Sequence, residues 1–190
     1  MRYTIITPSL ARPSLVKLCV SIDNQSNKYW EHIVALDAMP ATEAQAAAIR
    51  AVMHPQRRIL VRPGYEGHGG NHHRHALHEL AQGDYILYWD DDNYVIDDLV
   101  LEALEVVTKP WAIYPLLFQC KDYYLQFPLR VGGCDGNQIM VRRDSVPYPD
   151  LPGYDTDGVY IKQLEASYPD YDIINARPLV VYPRASCSAT

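Results

Sequence analysis

Apolar runs of strand length alternate with amphipathic stretches through the first half of the chain, the pattern of strand-helix-strand units around a mostly parallel sheet. Tyr3 to Thr7 reads as a β-branched strand that stops at Pro8-Ser9. Pro13-Ser14 then opens a helix to about Gln25, because Leu15, Leu18, Cys19 and Ile22 fall on one face at helical spacing. His32 to Leu36 gives the second strand, and the Ala-rich, proline-free stretch Ala41 to Met53 the second helix. Arg58 to Val61 makes a third strand, followed by a loop carrying Pro63-Gly64, Gly67, Gly69 and Gly70. Asn71 is placed to cap a helix that runs to about Gln82 and ends at Gly83. Tyr85 to Trp89 is a near-continuous apolar run, as a central strand buried on both faces requires, and it leads straight into Asp90.

Farther on, Asp97 and Asp98 open a helix rich in Leu, Val and Ala, where their charge complements the helix dipole, and Lys109-Pro110 closes it. Trp111 to Phe118 and Gln138 to Val141 read as strands, and Pro147, Pro149, Pro152 and Gly153 as a loop. A helix is expected from about Asp157 to Ala166, with Val159, Ile161 and Leu164 inward, and an extended segment from Ile173 to Val181 broken at Pro178. The fold these elements imply is α/β: one domain over residues 1–184, a mostly parallel central sheet flanked by helices, and a small polar tail, 185–190, without fixed structure.

Composition narrows the function classes. No apolar run approaches the roughly 20 residues that span a bilayer, and the N-terminal run lacks a signal-type core with a small-residue cleavage site. Cys19, Cys120, Cys134 and Cys187 are scattered, against a disulfide framework or a Cys-based zinc site, so a reducing, cytoplasmic location is expected. The formal charge of -6 argues against a general affinity for nucleic acid, whose phosphates need basic patches.

The candidate chemistry sits at the tip of the central strand. In open α/β sheets ligands bind beyond the carboxyl ends of the strands, which is where Asp90, Asp91 and Asp92 fall. Three adjacent carboxylates repel one another unless something positive lies between them, and a hard divalent cation with phosphate oxygens is the natural partner. As a plain acidic turn or helix cap the same triplet would need no ligand.

The ordered set of motifs around it resembles the family 2 glycosyltransferases of GT-A fold. The strand-end run Trp89-Asp90-Asp91-Asp92-Asn93 is preceded by a helix and Gly83-Asp84-Tyr85 and followed by an Asp-led helix. Thr7-Pro8 resembles the end of that family's first strand, which touches the nucleotide, and Asp37 stands where such enzymes hold the base with an acid. Arg74-His75 stands where the family often has Arg-Asn near the donor. Gly132-Gly133-Cys134-Asp135 resembles the loop facing donor sugar and acceptor, and Asp155-Thr156-Asp157 the acidic catalytic-base motif without its usual Glu-Asp pair.

The resemblance implies inverting transfer of a sugar from a nucleotide diphosphate, UDP by default, to the hydroxyl of an unidentified glycan or other acceptor, with Mn2+ or Mg2+. It implies Asp92 as metal ligand, with Asp90 or Asp91 on the ribose or a metal-bound water, and Asp157, or else Asp155, as the base. His68, Gly69 and Gly70 form a glycine loop at a helix N-terminus suited to an anionic ligand, and Arg74 could pair with the diphosphate. Other readings stay open. His68, His72, His73, His75 and His78 include helix spacings that could hold a zinc ion, without a fourth ligand of familiar spacing. A protein that binds nucleotide or sugar without turnover, or another metal-dependent nucleotide-using α/β enzyme, would share the acidic tip. A P-loop and a dinucleotide glycine triplet are both absent from the sequence.

Overall fold

The structure is a computed structural model that describes residues 1–62, 70–118, 134–153, 155–174 and 178–182. In chain order the elements are β1 (Tyr3–Ser9), α1 (Ser14–Asp23), β2 (Trp30–Leu36), α2 (Glu43–Ala51), β3 (Arg57–Val61), α3 (Asn71–His78), β4 (Tyr85–Tyr88) and β5 (Tyr94–Val95). They continue with α4 (Val100–Ala103), β6 (Trp111–Ile113), β7 (Leu116–Phe118), β8 (Ile139–Arg142), α5 (Thr156–Ser167), β9 (Asp172–Ile173) and β10 (Val180–Tyr182).

Seven strands form the main sheet in the order β3-β2-β1-β4-β8-β6-β9, and β5-β10-β7 form a smaller one. Strands β3, β2, β1 and β4 run parallel, while β8 lies antiparallel to both β4 and β6. The expected mostly parallel sheet is therefore present. Period-2 alternation sorts its side chains between two core layers: Tyr3, Ile5, Tyr85 and Leu87 pack with α1 residues Leu18 and Ile22, whereas Ile6, Ile86 and Tyr88 pack with Leu77 of α3 and Ile161 and Leu164 of α5. The face of α1 read from the sequence, Leu15, Leu18, Cys19 and Ile22, is the buried one. Helix α2 starts at a capping box in which Thr42 and Gln45 satisfy each other's backbone, with Glu43 and Arg50 placed to suit the dipole.

Several expected boundaries move. Gly70, at φ +80°, is the residue before α3, and Asn71 is inside it. The Asn71 amide instead donates to Leu151 O, Gly153 O and Thr156 Oγ1, tying α3 to the start of α5. Helix α3 stops at His78, short of Gln82. The segment 111–118 divides into β6 and β7 in different sheets around Pro115, which has no N–H to extend a ladder. The helix expected after Asp98 shrinks to the single turn of α4 and a 3-10 turn, Leu104–Val106, because Asp97 folds back to accept from Leu99 N. Strand β5 was not foreseen, and β9 and β10 fall at the two ends of the broken extended segment expected from Ile173 to Val181. Among the described residues no helix is long and apolar enough to cross a membrane. The tail 185–190 lies outside the described residues.

Gly83 lets the chain enter β4 against β1: a methyl group there would lie 2.5 Å from Thr4 N and 2.6 Å from the Tyr3 carbonyl carbon. Because both are backbone atoms of a central strand, Gly83→Ala is expected to destabilise the protein by about 1–3 kcal/mol, the usual cost of overpacking. A urea melt checks this, and an unchanged midpoint would contradict it.

Candidate active site

Strand β1 has β2 on one side and β4 on the other, so the strand order switches direction at β1 and β4, where a ligand crevice opens in folds of this kind. Its carboxyl edge carries Ser9 from β1, Asp37 after β2 and Asp90 to Asp92 after β4. Trp89 N donates to Ile6 O, the last rung before the acidic turn, and Asn93 N closes that turn on Asp90 O at 3.1 Å.

The three carboxylates have different surroundings. Asp91 is fully buried; Ser9 Oγ donates to its Oδ2 at 2.6 Å and the Arg12 guanidinium spans both oxygens. Asp90 receives Arg74 Nη2 on Oδ1 and Asn137 Nδ2 on Oδ2 at 3.0 Å, while its own N–H donates to Asn137 Oδ1 at 2.7 Å. Asp92 has a looser ion pair with Arg12 Nη1, at 3.6 Å. Its Oδ1 is buried without a partner among the described residues, and so are both side-chain polar atoms of Asn93. Burial and the neighbouring Asp90 charge raise the Asp92 pKa, against the pull of Arg12.

The sequence led to the expectation that a cation with phosphate oxygens offsets the triplet; in the structure two arginines hold Asp90 and Asp91. Arg74, expected at the diphosphate, is 5% exposed and engaged with Asp90. The donor set nevertheless fits a hard cation. Mg2+ and Mn2+ commonly take one or two protein carboxylates and complete their shell with phosphate oxygens and water, and a buried, unpartnered carboxylate oxygen is the acceptor such an ion needs. Among the described residues no three His, Cys, Asp or Glu side chains form a ready-made metal cage.

A second acidic group faces the tip. Asp135 caps the 3-10 turn Gly136–Gln138 through Asn137 N, at 2.9 Å, and also accepts from Asn137 Nδ2. Asn137 thus joins Asp135 to Asp90. Asp157, in the first turn of α5, accepts from the Tyr148 hydroxyl and lies against Gly136, where a methyl group would be 2.8 Å from its Oδ1. The Arg74 guanidinium sits 5.4 Å from the centre of the Tyr148 ring. Burial, then the charges of Asp157 and Asp90, push the Asp135 pKa up to about 7. Burial also raises that of Asp157, opposed by Arg74 and the Tyr148 hydrogen bond. Asp155, by contrast, is exposed and makes no side-chain cap bond. Burial pushes the half-buried Cys134 thiol up to about 12, which keeps it a neutral sulfhydryl.

At the β1 end, Thr7 is buried and its hydroxyl meets His32 Nε2 at 2.9 Å, so the side chain is used internally. Pro8 packs where a methyl on Gly70 would fall, 2.4 Å from Pro8 Cβ, which requires glycine at that approach of α3 to β1. Asp37 is buried and pairs with His73 Nε2. His68, Gly69, Gly132 and Gly133 lie outside the described residues. The remaining histidines diverge: His72 meets Asp150, His75 meets Tyr148 O, and His78 bridges Tyr88 and Arg143 O. The zinc reading therefore finds no support among the described residues.

Arg12, Asn137, Tyr148 and His73 are the site residues that sequence reasoning missed or left without a role. Arg12, in the turn after β1, carried the only available signal, a cation near a strand end.

A parallel-strand switch point with a carboxylate turn at its tip and a second acidic group arriving on a later helix has the GT-A fold. The chain belongs to glycosyltransferase family 2: the sequence pattern described as Glycosyl transferase family 2 matches residues 4–146. No curated protein matches the sequence. Among solved structures, S. aureus TarS 1-349 in complex with UDP-GlcNAc superposes with TM-score 0.71 at 13% identity, over 100% of this chain and 62% of that one. The mannosyltransferase PcManGT from Pyrobaculum calidifontis, in complex with GDP-Man and Mn2+, gives 0.69 at 19% identity, over 98% and 57%. The chain thus spans about 60% of the length of these two neighbours, and the likeness is one of fold.

Asp135 holds its proton more tightly folded than its ordinary value of 3.8 allows when unfolded. Between those two values the folded state carries more protons, so this carboxyl costs stability increasingly as pH rises through the window. Thermal melts of Asp135→Asn are expected to gain on the wild type from about pH 4 to about pH 8. A difference independent of pH would contradict the raised value.

Proposed function

We propose that this chain is an inverting glycosyltransferase that moves a sugar from a nucleoside diphosphate, UDP in the reading the family resemblance favours, to an acceptor hydroxyl with the help of Mn2+ or Mg2+. The observation that carries this reading is the convergence of Asp90, Asp135 and Asp157, through Asn137 and Arg74, beside the unpartnered oxygen of Asp92. The family match and the nucleotide-sugar complexes of the structural neighbours support it. The reading assigns the reaction to a single domain, residues 1–184.

Asp92 would hold the cation, with Asn93 beside it. When bound, the ion supplies Lewis-acid stabilisation to the departing diphosphate. Arg74 and Asn137 fix the Asp90 carboxylate for a donor contact, and Arg12 and Ser9 anchor the turn through Asp91. Asp157 takes the proton of the acceptor hydroxyl at a carboxylate oxygen. Its raised affinity for a proton makes it a better base near neutral pH than an exposed aspartate, and the Tyr148 hydroxyl orients it. Asp155, exposed, is the weaker choice. One carboxylate acting on the acceptor yields inversion, since retention by double displacement needs a separate carboxylate nucleophile on the sugar's other face. Gly132, Gly133, Cys134 and Asp135 would face the sugar and acceptor.

The test is release of nucleoside diphosphate from a panel of nucleotide sugars with Mn2+, with and without acceptors. Asp157→Asn should lower kcat by about 100–10,000-fold while nucleotide affinity is retained, and Asp155→Asn should leave turnover near wild type. Donor binding with no release under any condition would instead favour a binding protein without turnover.

Removing the Tyr148 hydroxyl takes away a hydrogen bond that stabilises ionised Asp157. In Tyr148→Phe the base therefore protonates at higher pH, and the acidic limb of the kcat profile moves upward. An unmoved limb would detach Tyr148 from the base.

A further inference from the structure

A pocket of about 510 Å³ lies at the edge of the main sheet opposite the acidic turn, where β1, β2 and β3 begin. The length of β1 separates the two edges by about 20 Å, at the usual rise per residue of a strand. Along this face the alternation that places Ile6 and Ile33 in the core turns polar: Thr4 and Glu31 come next outward, then Arg2 and Tyr29, and Arg58 joins them from β3 in register with Ile33. Glu31 is consumed within the wall. Its Oε1 accepts from Thr4 Oγ1 at 2.7 Å and from Gln82 N at 2.6 Å, and its Oε2 from Arg58 Nη2 at 3.0 Å. Gln56 Nε2 donates to Lys28 O and to Trp30 O, each at 2.8 Å, and so fixes the segment that carries Tyr29.

Among the described residues the lining sets three cations, Arg2, Lys28 and Arg58, against that one carboxylate, in a chain whose formal charge is -6. Asp84, which accepts from Arg2 N at 2.9 Å, is not part of the lining. Arg2 and Lys28 are exposed and keep most of their N–H donors for a ligand: Arg2 Nη2 reaches Gln82 Oε1 at 3.4 Å, and Lys28 Nζ donates to Asp23 O at 2.8 Å. Tyr29, 74% exposed beside them, leaves an aromatic face outside the core. Clustered cations favour a multiply charged anion, and a phosphate monoester carries about -1.5 to -2 near neutral pH where a carboxylate carries one charge. An aromatic face suits the apolar C–H face of a sugar ring, and walls of Arg and Gln suit its hydroxyls. The volume falls in the range of small-ligand pockets, about 300–1,000 Å³.

We propose that this pocket is a second binding site, for a sugar that carries a phosphate group, with Arg2, Lys28 and Arg58 on the phosphate and Tyr29 against the ring. Such a site is separate from the transfer chemistry at the acidic turn and stands or falls without it.

Nuclear magnetic resonance of the isotope-labelled whole chain, titrated separately with glucose 6-phosphate, glucose, inorganic phosphate and glucuronate, tests it. Glucose 6-phosphate should shift the backbone amides of Tyr29, Glu31 and Arg58 and bind about 10-fold or more tightly than the other three, each of which lacks the ring, the charge or the second charge. Tyr29→Ser and the double variant Arg2→Ser, Lys28→Ser change exposed side chains and are checked for folding by circular dichroism. Each should weaken glucose 6-phosphate by about 10-fold, the value of one hydrogen bond to a charged group or of one stacked ring. Inorganic phosphate bound as tightly as the sugar phosphate would mean an adventitious ion only and overturn the proposal. Equal binding of glucose or glucuronate, shifts confined to residues elsewhere, no shifts at all, or undiminished affinity in either folded variant would overturn it as well.

Discussion

Three consecutive carboxylates at the end of a buried strand repel one another, and the way that repulsion is offset organises the site. Two unit charges 4 Å apart interact by about 4 kcal/mol at the effective dielectric of a protein surface, a large fraction of a domain's net stability. Arg12 and Arg74 supply the compensation from opposite sides, one on Asp91 and one on Asp90. Asp92 is left with an oxygen that nothing among the described residues satisfies. The arginines thus hold the turn through Asp90 and Asp91 and leave Asp92 apart, the carboxylate to which the proposed function assigns the cation.

The same arginine links the strand tip to the rest of the site. Arg74 leaves α3 to meet Asp90 and lies over Tyr148, whose hydroxyl holds Asp157. Asn71, three residues before it, ties α3 to the loop that leads into α5. The acidic turn after β4 and the Asp157 carboxylate are therefore linked through one short helix, and Gly70 allows that helix to approach Pro8 closely enough.

Much of the fold was legible because it is written locally. The unbroken apolar run before Asp90 announced a central strand, and the Leu15, Leu18, Cys19, Ile22 spacing announced the buried face of α1. Asp90 to Asp92 and Asp157 could be singled out because their place after a strand and before a helix is visible in sequence. Their partners were not, since those contacts cross long separations: Arg12 is 79 residues from Asp91, and Asn137 is 47 from Asp90. Asn71 was misjudged for a related reason, because its amide bonds to a loop about 80 residues away rather than to its own helix end. Pro115 marks the break in residues 111–118 locally, but which sheet each half joins depends on tertiary pairing with β8 and β10.

The central claim is that Asp92, and not the triplet as a unit, is the ligand a divalent cation meets. Electron paramagnetic resonance of Mn2+ titrated into the protein with UDP present tests this directly. The account predicts a bound-Mn2+ signal in the wild type that is lost in folded Asp92→Asn. A signal of undiminished affinity in that variant would contradict it.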